Sequence, residues 1–249
     1  MGDNLFLANI SSQNLTELND TVAKRLLPEY GAILVARNGA TPPNKLVYSN
    51  ESEVEGFQQS VEIGTVEFGD ITIELQKAAA DALKKAINKA GREGLSITPR
   101  SADSGRRRYT DTIYLWKSRV EPALEHWIRE EKLDQEEAAL IRSLPPFDQV
   151  PLVFELEGKG LWFSKDLSKS IIYSVAPPGG SQHLSMLAFD VTEFNQPRVR
   201  EILAEHFWYQ TVVSDLPHFT YLGVPENELP ELGLKQISFA ERKFWVPDI

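Results

Sequence analysis

The sequence predicts an α+β protein. Residues recurring at helical spacing dominate the first part of the chain, and strand-like runs dominate the part after about residue 150. Helices first and strands last argue for α+β over alternating βαβ units. The third observation is bulk: 249 residues at 42% hydrophobic and 25% charged are ample for a core, as one large domain or a domain with an appendage.

Taken in order, Leu15 to Leu27 is modestly amphipathic and reads as a short helix followed by a turn. Ala32-Ile33-Leu34-Val35-Ala36, between Gly31 and Asn38-Gly39, reads as a buried strand, with Leu46-Val47-Tyr48 as a second. Glu51 to Gln59 suits a helical turn or two. Ile71 to Leu75 alternates and runs into Ala79, Leu83, Ala86, Ile87 and Ala90, a helical stripe stopped at Gly91 and Gly94. Leu95-Ser96-Ile97-Thr98 reads as a strand.

A long helix follows from about Arg107 to Lys132, its stripe being Tyr109, Ile113, Trp116, Val120, Leu124 and Trp127. Pro122 marks a place for a kink. Asp134, with Glu137 three residues on, caps the next helix, which ends before Pro145-Pro146. Leu152 to Leu156, Leu161 to Phe163, Ile171 to Tyr173 and Ala188 to Val191 read as strands. Pro197 to His206 reads as a helix and Phe207 to Val213 as a strand.

The net charge of −10 argues against general nucleic-acid binding. Arg106-Arg107-Arg108 is the one dense basic cluster, and it reads as a solvated helix face. Without cysteine there is no disulfide and no thiolate site, so a metal site must come from His, Asp and Glu. Met1-Gly2-Asp3-Asn4-Leu5-Phe6-Leu7 lacks the features of a signal peptide, and no run is long enough for a membrane span. The chain is therefore cytosolic as it stands, or a leader has been removed.

The candidate chemistry lies in two stretches. Ser181-Gln182-His183 leads to Asp190, and Asp215-Leu216-Pro217-His218 follows. They offer two imidazoles and one carboxylate at metal-ligand spacing, with a second carboxylate three residues before the last His. Imidazole nitrogen and carboxylate oxygen suit Zn²⁺, and three protein ligands leave the open position of a catalytic site.

These stretches resemble the zinc site of VanY-type D-alanyl-D-alanine carboxypeptidases, within a wider group of peptidoglycan zinc peptidases. The family pattern Ser-x-His-x-x-Gly-x-Ala-x-Asp is met by Ser181, His183, Ala188 and Asp190. Pro99-Arg100-Ser101 is similar to its upstream Arg-Ser pair. The likeness spans roughly residues 70 to 223. It implies a zinc peptidase domain over 71–249, with 1–70 as an N-terminal extension packed on it. The implied fold is hedgehog/D,D-peptidase-like, with an antiparallel sheet carrying the zinc site against N-terminal helices.

The resemblance further implies His183, Asp190 and His218 as zinc ligands and Asp215 as general base and acid. Arg100 would hold an oxyanion or substrate carboxylate, a task Arg106, Arg107 or Arg108 could share. Ser181 and Trp208 would touch a peptidoglycan-derived peptide, in the bacterial cell envelope or periplasm, with a cytoplasmic site as the alternative. Two positions depart from the pattern. Met186 stands at the usual Gly, so the turn differs or Met accepts glycine's backbone angles. Asp215 replaces the carboxypeptidases' usual Glu and resembles the L-alanyl-D-glutamate endopeptidase branch. A non-catalytic homologue that binds zinc or peptidoglycan is the further alternative. His126 and His206 read as structural, and Ser164 with Lys165 and Lys169 carries little weight as a nucleophile motif.

Overall fold

The strands of this chain are few and short because each is only as long as its pairing partner allows. The computed structural model describes residues 4–18 and 20–249 and is mixed helix and sheet, compatible with α+β. Met1, Gly2 and Asp3 of the N-terminal run, and Asn19 within the Leu15–Leu27 stretch, lie outside the described residues. The chain divides into two compact units. One is Met1–Leu46, Glu55–Arg107 and Gln182–Ile249; the other is Val47–Val54 and Arg108–Ser181.

In the first unit, helices α1 (Leu5–Asn9), α2 (Ser12–Glu17) and α3 (Thr21–Tyr30) are each opened by a side-chain cap: Asn4, Ser11 and Asp20. Helix α4 spans Glu51–Gln59, across the boundary of the two residue ranges. Strands β1 (Ile63–Phe68) and β2 (Ile71–Gln76) form an antiparallel hairpin, turning at Gly69 with φ 60°. Helix α5 (Lys77–Arg92) follows without a loop and buries Ala79, Ala82, Leu83, Ala86 and Ala90. It stops before Gly94, whose φ of 71° suits the left-handed close of a helix.

The second unit holds α6 (Tyr109–Arg129), α7 (Gln135–Ser143) and α8 (Pro146–Gly158). Glu51 accepts from the free amides of Tyr109 and Thr110 at the start of α6, and Asp134 caps α7 as expected. Pro122 is accommodated inside α6. Trp116 is fully buried and gives its indole N–H to Gln149 of α8 at 3.0 Å.

The remaining elements return to the first unit: β3 (Ala188–Asp190), α9 (Pro197–Glu205), β4 (Trp208–Tyr209), β5 (His218–Tyr221), β6 (Leu234–Phe239) and β7 (Arg242–Pro247). β6 and β7 form a hairpin. The sheet that positions the site is antiparallel, in the order β3-β5-β4. Its register sets Asp190 opposite His218, Phe189 opposite Phe219, and Trp208 opposite Tyr221. Alternation then sends Asp190, His218 and Thr220 to one face and Phe189, Phe219, Trp208 and Tyr221 to the other. The Trp208 ring meets Phe189 at 6.2 Å and Tyr221 at 5.4 Å on that second face.

Several expected strands are not strands. Gly31–Val35 is a buried 3-10 turn continuing from α3, since Gly31 N–H still bonds back to Leu27. Residues 152–156 lie inside α8, where Val150, Val153, Leu156 and Glu157 are buried at helical spacing. Pro146 at the first turn, with Asp148 beside it, was the start signal there. Leu46 to Tyr48 and Leu161 to Phe163 form no ladder, and Ile171–Tyr173 is a 3-10 turn whose Ile171 N–H is taken by buried Glu157. Residues 95–98 join no ladder: Thr98 O accepts from Thr192 N–H, Glu193 accepts from Thr98, and an isolated bridge follows at Pro99 to Val191. Of the expected 207–213 strand only Trp208–Tyr209 pairs.

Candidate metal centre

His218 opens β5 and Asp190 closes β3, so strand register alone makes them neighbours. His183 arrives from a 3-10 turn, Gln182–Ser185, whose chain must reverse sharply to enter β3. Met186 makes that reversal, with φ 58° and its side chain fully buried. Its N–H bonds His183 O at 3.1 Å, and its carbonyl accepts Gln76 N–H at 2.9 Å. Met therefore does accept glycine-like backbone angles here.

The cost is testable. Truncating a buried Met to Ala is expected to lose about 2–5 kcal/mol. Glycine at the same position regains about 1–2 kcal/mol of left-handed strain. Met186→Gly should unfold at lower denaturant than wild type yet at higher denaturant than Met186→Ala. The reverse order of the two variants would show that the turn carries no strain.

His183, Asp190 and His218 are buried, and their donor atoms all lie within 4.8 Å of one another, a group that could hold a metal ion. His183 Nε2 and His218 Nδ1 each stand 3.2 Å from Asp190 Oδ1. Donors about 2.0–2.1 Å from a tetrahedral ion lie roughly 3.3 Å apart, so these separations fit one.

The protons agree with the distances. His183 Nδ1 faces Gly105 O at 2.8 Å, and a carbonyl only accepts, so the ring proton sits there. That leaves Nε2 a lone pair, buried and without a hydrogen-bond partner. His218 faces an acceptor at each nitrogen, Asp190 Oδ1 and, at 2.9 Å, Gln182 Oε1. The Gln182 amide is oriented by its Nε2 donating to Tyr30 O, and Thr220 Oγ1 also donates to Oε1. A neutral ring has one proton for two acceptors. A cation held by the cluster would resolve the shortfall.

Burial first, and Arg107's charge second, push His183 down, which keeps it neutral. Burial alone would push Asp190 up; the two imidazoles beside it, His183 first, outweigh that and hold it well below the usual carboxylate range. Both shifts favour the deprotonated forms that bind metals. Arg107 Nη2 meets the other carboxylate oxygen, Oδ2, at 2.8 Å, leaving Oδ1 for the imidazoles.

Gln182 fixes the ring orientation of His218, and such outer partners are commonly worth about 10–100-fold in metal affinity. Gln182→Ala is expected to weaken zinc by that factor in competition with a chromophoric chelator. Unchanged affinity would remove Gln182 from the centre.

The other sequence-derived candidates lie differently. Asp215 sits in the turn before β5, exposed, its carbonyl accepting His218 N–H at 3.1 Å. Buried Glu29 anchors that turn through Ser214 N and Oγ. Arg100 is exposed, its guanidinium 5.9 Å from the Phe194 ring centroid, while its backbone N–H bonds Asp190 O. Trp208 is buried on the sheet face opposite the ligands. Ser181 belongs to the residue range of the second unit. His206 closes α9 with Nδ1 on Ile202 O. Ser164 Oγ is committed to Asp166 and to the amides of Ser168 and Lys169.

The Arg106-Arg107-Arg108 cluster is not a solvated helix face. It precedes α6: Arg106 bonds Glu74 and Gln58, and Arg107 pairs with Asp190. Gln182 is the partner that residue-by-residue reading passed over, and Arg107, considered there only as a substitute for Arg100, is instead the partner of Asp190. The available signals were a basic cluster in an acidic chain and a polar residue adjoining a ligand.

No helix among the described residues is long and apolar enough to cross a membrane. Compared with protein-family models and with curated proteins, the chain matches none.

Proposed function

We infer that this protein is a zinc-dependent peptidase acting on cell-wall-type peptides, most closely a D-alanyl-D-alanine carboxypeptidase, with a hedgehog/D,D-peptidase-like fold around its metal. The observation carrying the reading is the convergence of two imidazole nitrogens on one carboxylate oxygen, in a buried group. The left-handed Met186, standing where the resembled family places Gly, supports it.

His183, Asp190 and His218 would hold the ion, and the mixed nitrogen and oxygen set suits Zn²⁺. Zinc bound there supplies a Lewis acid and lowers the pKa of a coordinated water towards about 7. Gly105 O and Gln182 Oε1 fix the two rings, and Arg107 orients Asp190 by donating to Oδ2. Asp215, on the exposed turn before His218, would take a proton from the attacking water and return it to the leaving amine. Arg100 would bind the substrate carboxylate or the developing oxyanion, which a planar guanidinium suits. On this reading the protein would work in the bacterial cell envelope or periplasm, with a cytoplasmic site as the alternative.

Elemental analysis of the purified protein beside His183→Ala is the test. About one zinc per chain is expected in the wild type and none in the variant. Release of D-alanine from peptides ending in D-Ala-D-Ala is then expected; internal cleavage at L-Ala-D-Glu would move the assignment to the endopeptidase branch. A wild type that takes up no zinc even after reconstitution overturns the reading.

A further inference from the structure

The face of the β3-β5-β4 sheet that points away from the ligands borders a cavity of about 570 Å³, within the usual size of small-molecule sites. Phe219 and Trp208 form its sheet side, Arg200 of α9 and Arg242 of β7 contribute charge, and Phe207 and Trp245 add aromatic surface. Trp208 is fully buried and its indole N–H has no hydrogen-bond partner, a costly state for a donor.

The charges around this cavity are not all matched. Arg198 is held by Glu93 at 2.7 Å, Glu205 at 2.9 Å and Glu201 at 3.0 Å. Lys243 lies 3.9 Å from Glu226. Among the described residues Arg200 and Arg242 form no ion pair; Glu201, which also lines the cavity, acts on Arg200 without a direct contact. Arg200 Nη1 donates to Phe194 O, and Arg242 donates to Ala240 O and Asn195 Oδ1. Arg242 Nε is buried with no partner. A further guanidinium, that of Arg100, lies as close to the Phe194 ring as that of Arg242, 5.9 Å in each case. Burial first, then the charge of Arg242, push Arg200 down, and Glu201 offsets part of that. The carboxylate of Glu241 is on the hairpin turn at the rim and exposed. In a chain with ten excess negative charges, two guanidiniums close enough to repel one another, neither of them ion-paired to a carboxylate, favour an anion between them.

We propose that this cavity is a second binding site, separate from the metal centre, for an oxyanion carried on a flat apolar body, with Arg200 and Arg242 contacting the anion. The guanidinium forks suit phosphate or carboxylate oxygens, and the aromatic walls suit a ring. The buried Trp208 N–H is a further donor for the same ligand. The proposal does not depend on zinc or on peptidase activity.

Isothermal titration of zinc-free protein with phenyl phosphate tests it, with phenylacetate as the carboxylate arm and benzyl alcohol as the neutral one. Saturable binding of phenyl phosphate, of phenylacetate or of both is expected, and the stronger arm identifies the anion. Arg200→Gln and Arg242→Gln should each weaken it about tenfold, the worth of one charge-assisted hydrogen bond. His183→Ala should bind as the wild type does. Circular dichroism of each variant separates lost binding from lost folding. Should a variant not fold, the wild type alone decides: affinity should fall as NaCl rises from about 0.05 to 0.5 M. No saturable binding of either anion up to about 10 mM would overturn the proposal. So would equal binding of benzyl alcohol, affinity indifferent to salt, or loss of binding in His183→Ala with retention in the arginine variants.

Discussion

Replacing Asp215 by alanine is expected to slow hydrolysis of a D-Ala-D-Ala peptide by about 10²–10⁴-fold, the usual worth of a general acid–base group. Zinc content should not change, because Asp215 is exposed and lies outside the ligand group. Stability should barely move, since its carboxylate has no hydrogen-bond or ion-pair partner among the described residues. Its backbone carbonyl, which accepts from His218 N–H, survives the substitution. Asp215→Glu should retain far more activity than Asp215→Asn, since only the former keeps a proton acceptor. A wild-type rate in Asp215→Ala would deny it the proton-transfer role. Retained zinc with no hydrolysis in either protein would favour the non-catalytic homologue.

Arg107→Ala is expected to have the largest effect on stability. Both side chains of the Arg107–Asp190 pair are mostly buried, at 14% and 12% exposure, so solvent screens little of their attraction. Removing one partner of such a pair leaves an uncompensated buried charge and costs about 3–5 kcal/mol. The partner left behind is a candidate ligand, so zinc should replace part of the missing charge. Adding zinc should therefore raise the melting temperature of Arg107→Ala by more than it raises that of wild type. A loss below about 1 kcal/mol would rank the pair with exposed surface bridges and remove Arg107 from the centre's support.

How much of this was legible depends on the range of the interaction. Helices α5, α6, α7 and α9 announce themselves because stripes and caps act within a few residues, as Asp134 does on Glu137 N–H. The β6–β7 hairpin does not. Its turn residues Ala240 and Glu241 take φ of 48° and 57°, angles usually marked by Asn-Gly, so no turn signal shows. Buried apolar runs are ambiguous for another reason: residues 31–35 and 152–156 are apolar enough for a strand, yet they continue from α3 and lie inside α8.

The sequence by itself offered the residues of the candidate centre, His183, Asp190 and His218, through their spacing and their likeness to a family motif; the fold then puts one on a turn and two on paired strands. The sequence also determined that no thiolate could take part. Only the tertiary structure decided how those donors are prepared. Gly105 O, 78 residues before His183, sets one tautomer, and Arg107, 83 residues before Asp190, claims one carboxylate oxygen. It also turned the guanidinium of Arg100 to Phe194 and the Trp208 ring to the far face of the sheet. The physical reason is that spacing, caps and periodicity act locally along the chain. Proton placement and charge pairing are set by whichever distant groups the packed chain brings within about 3 Å.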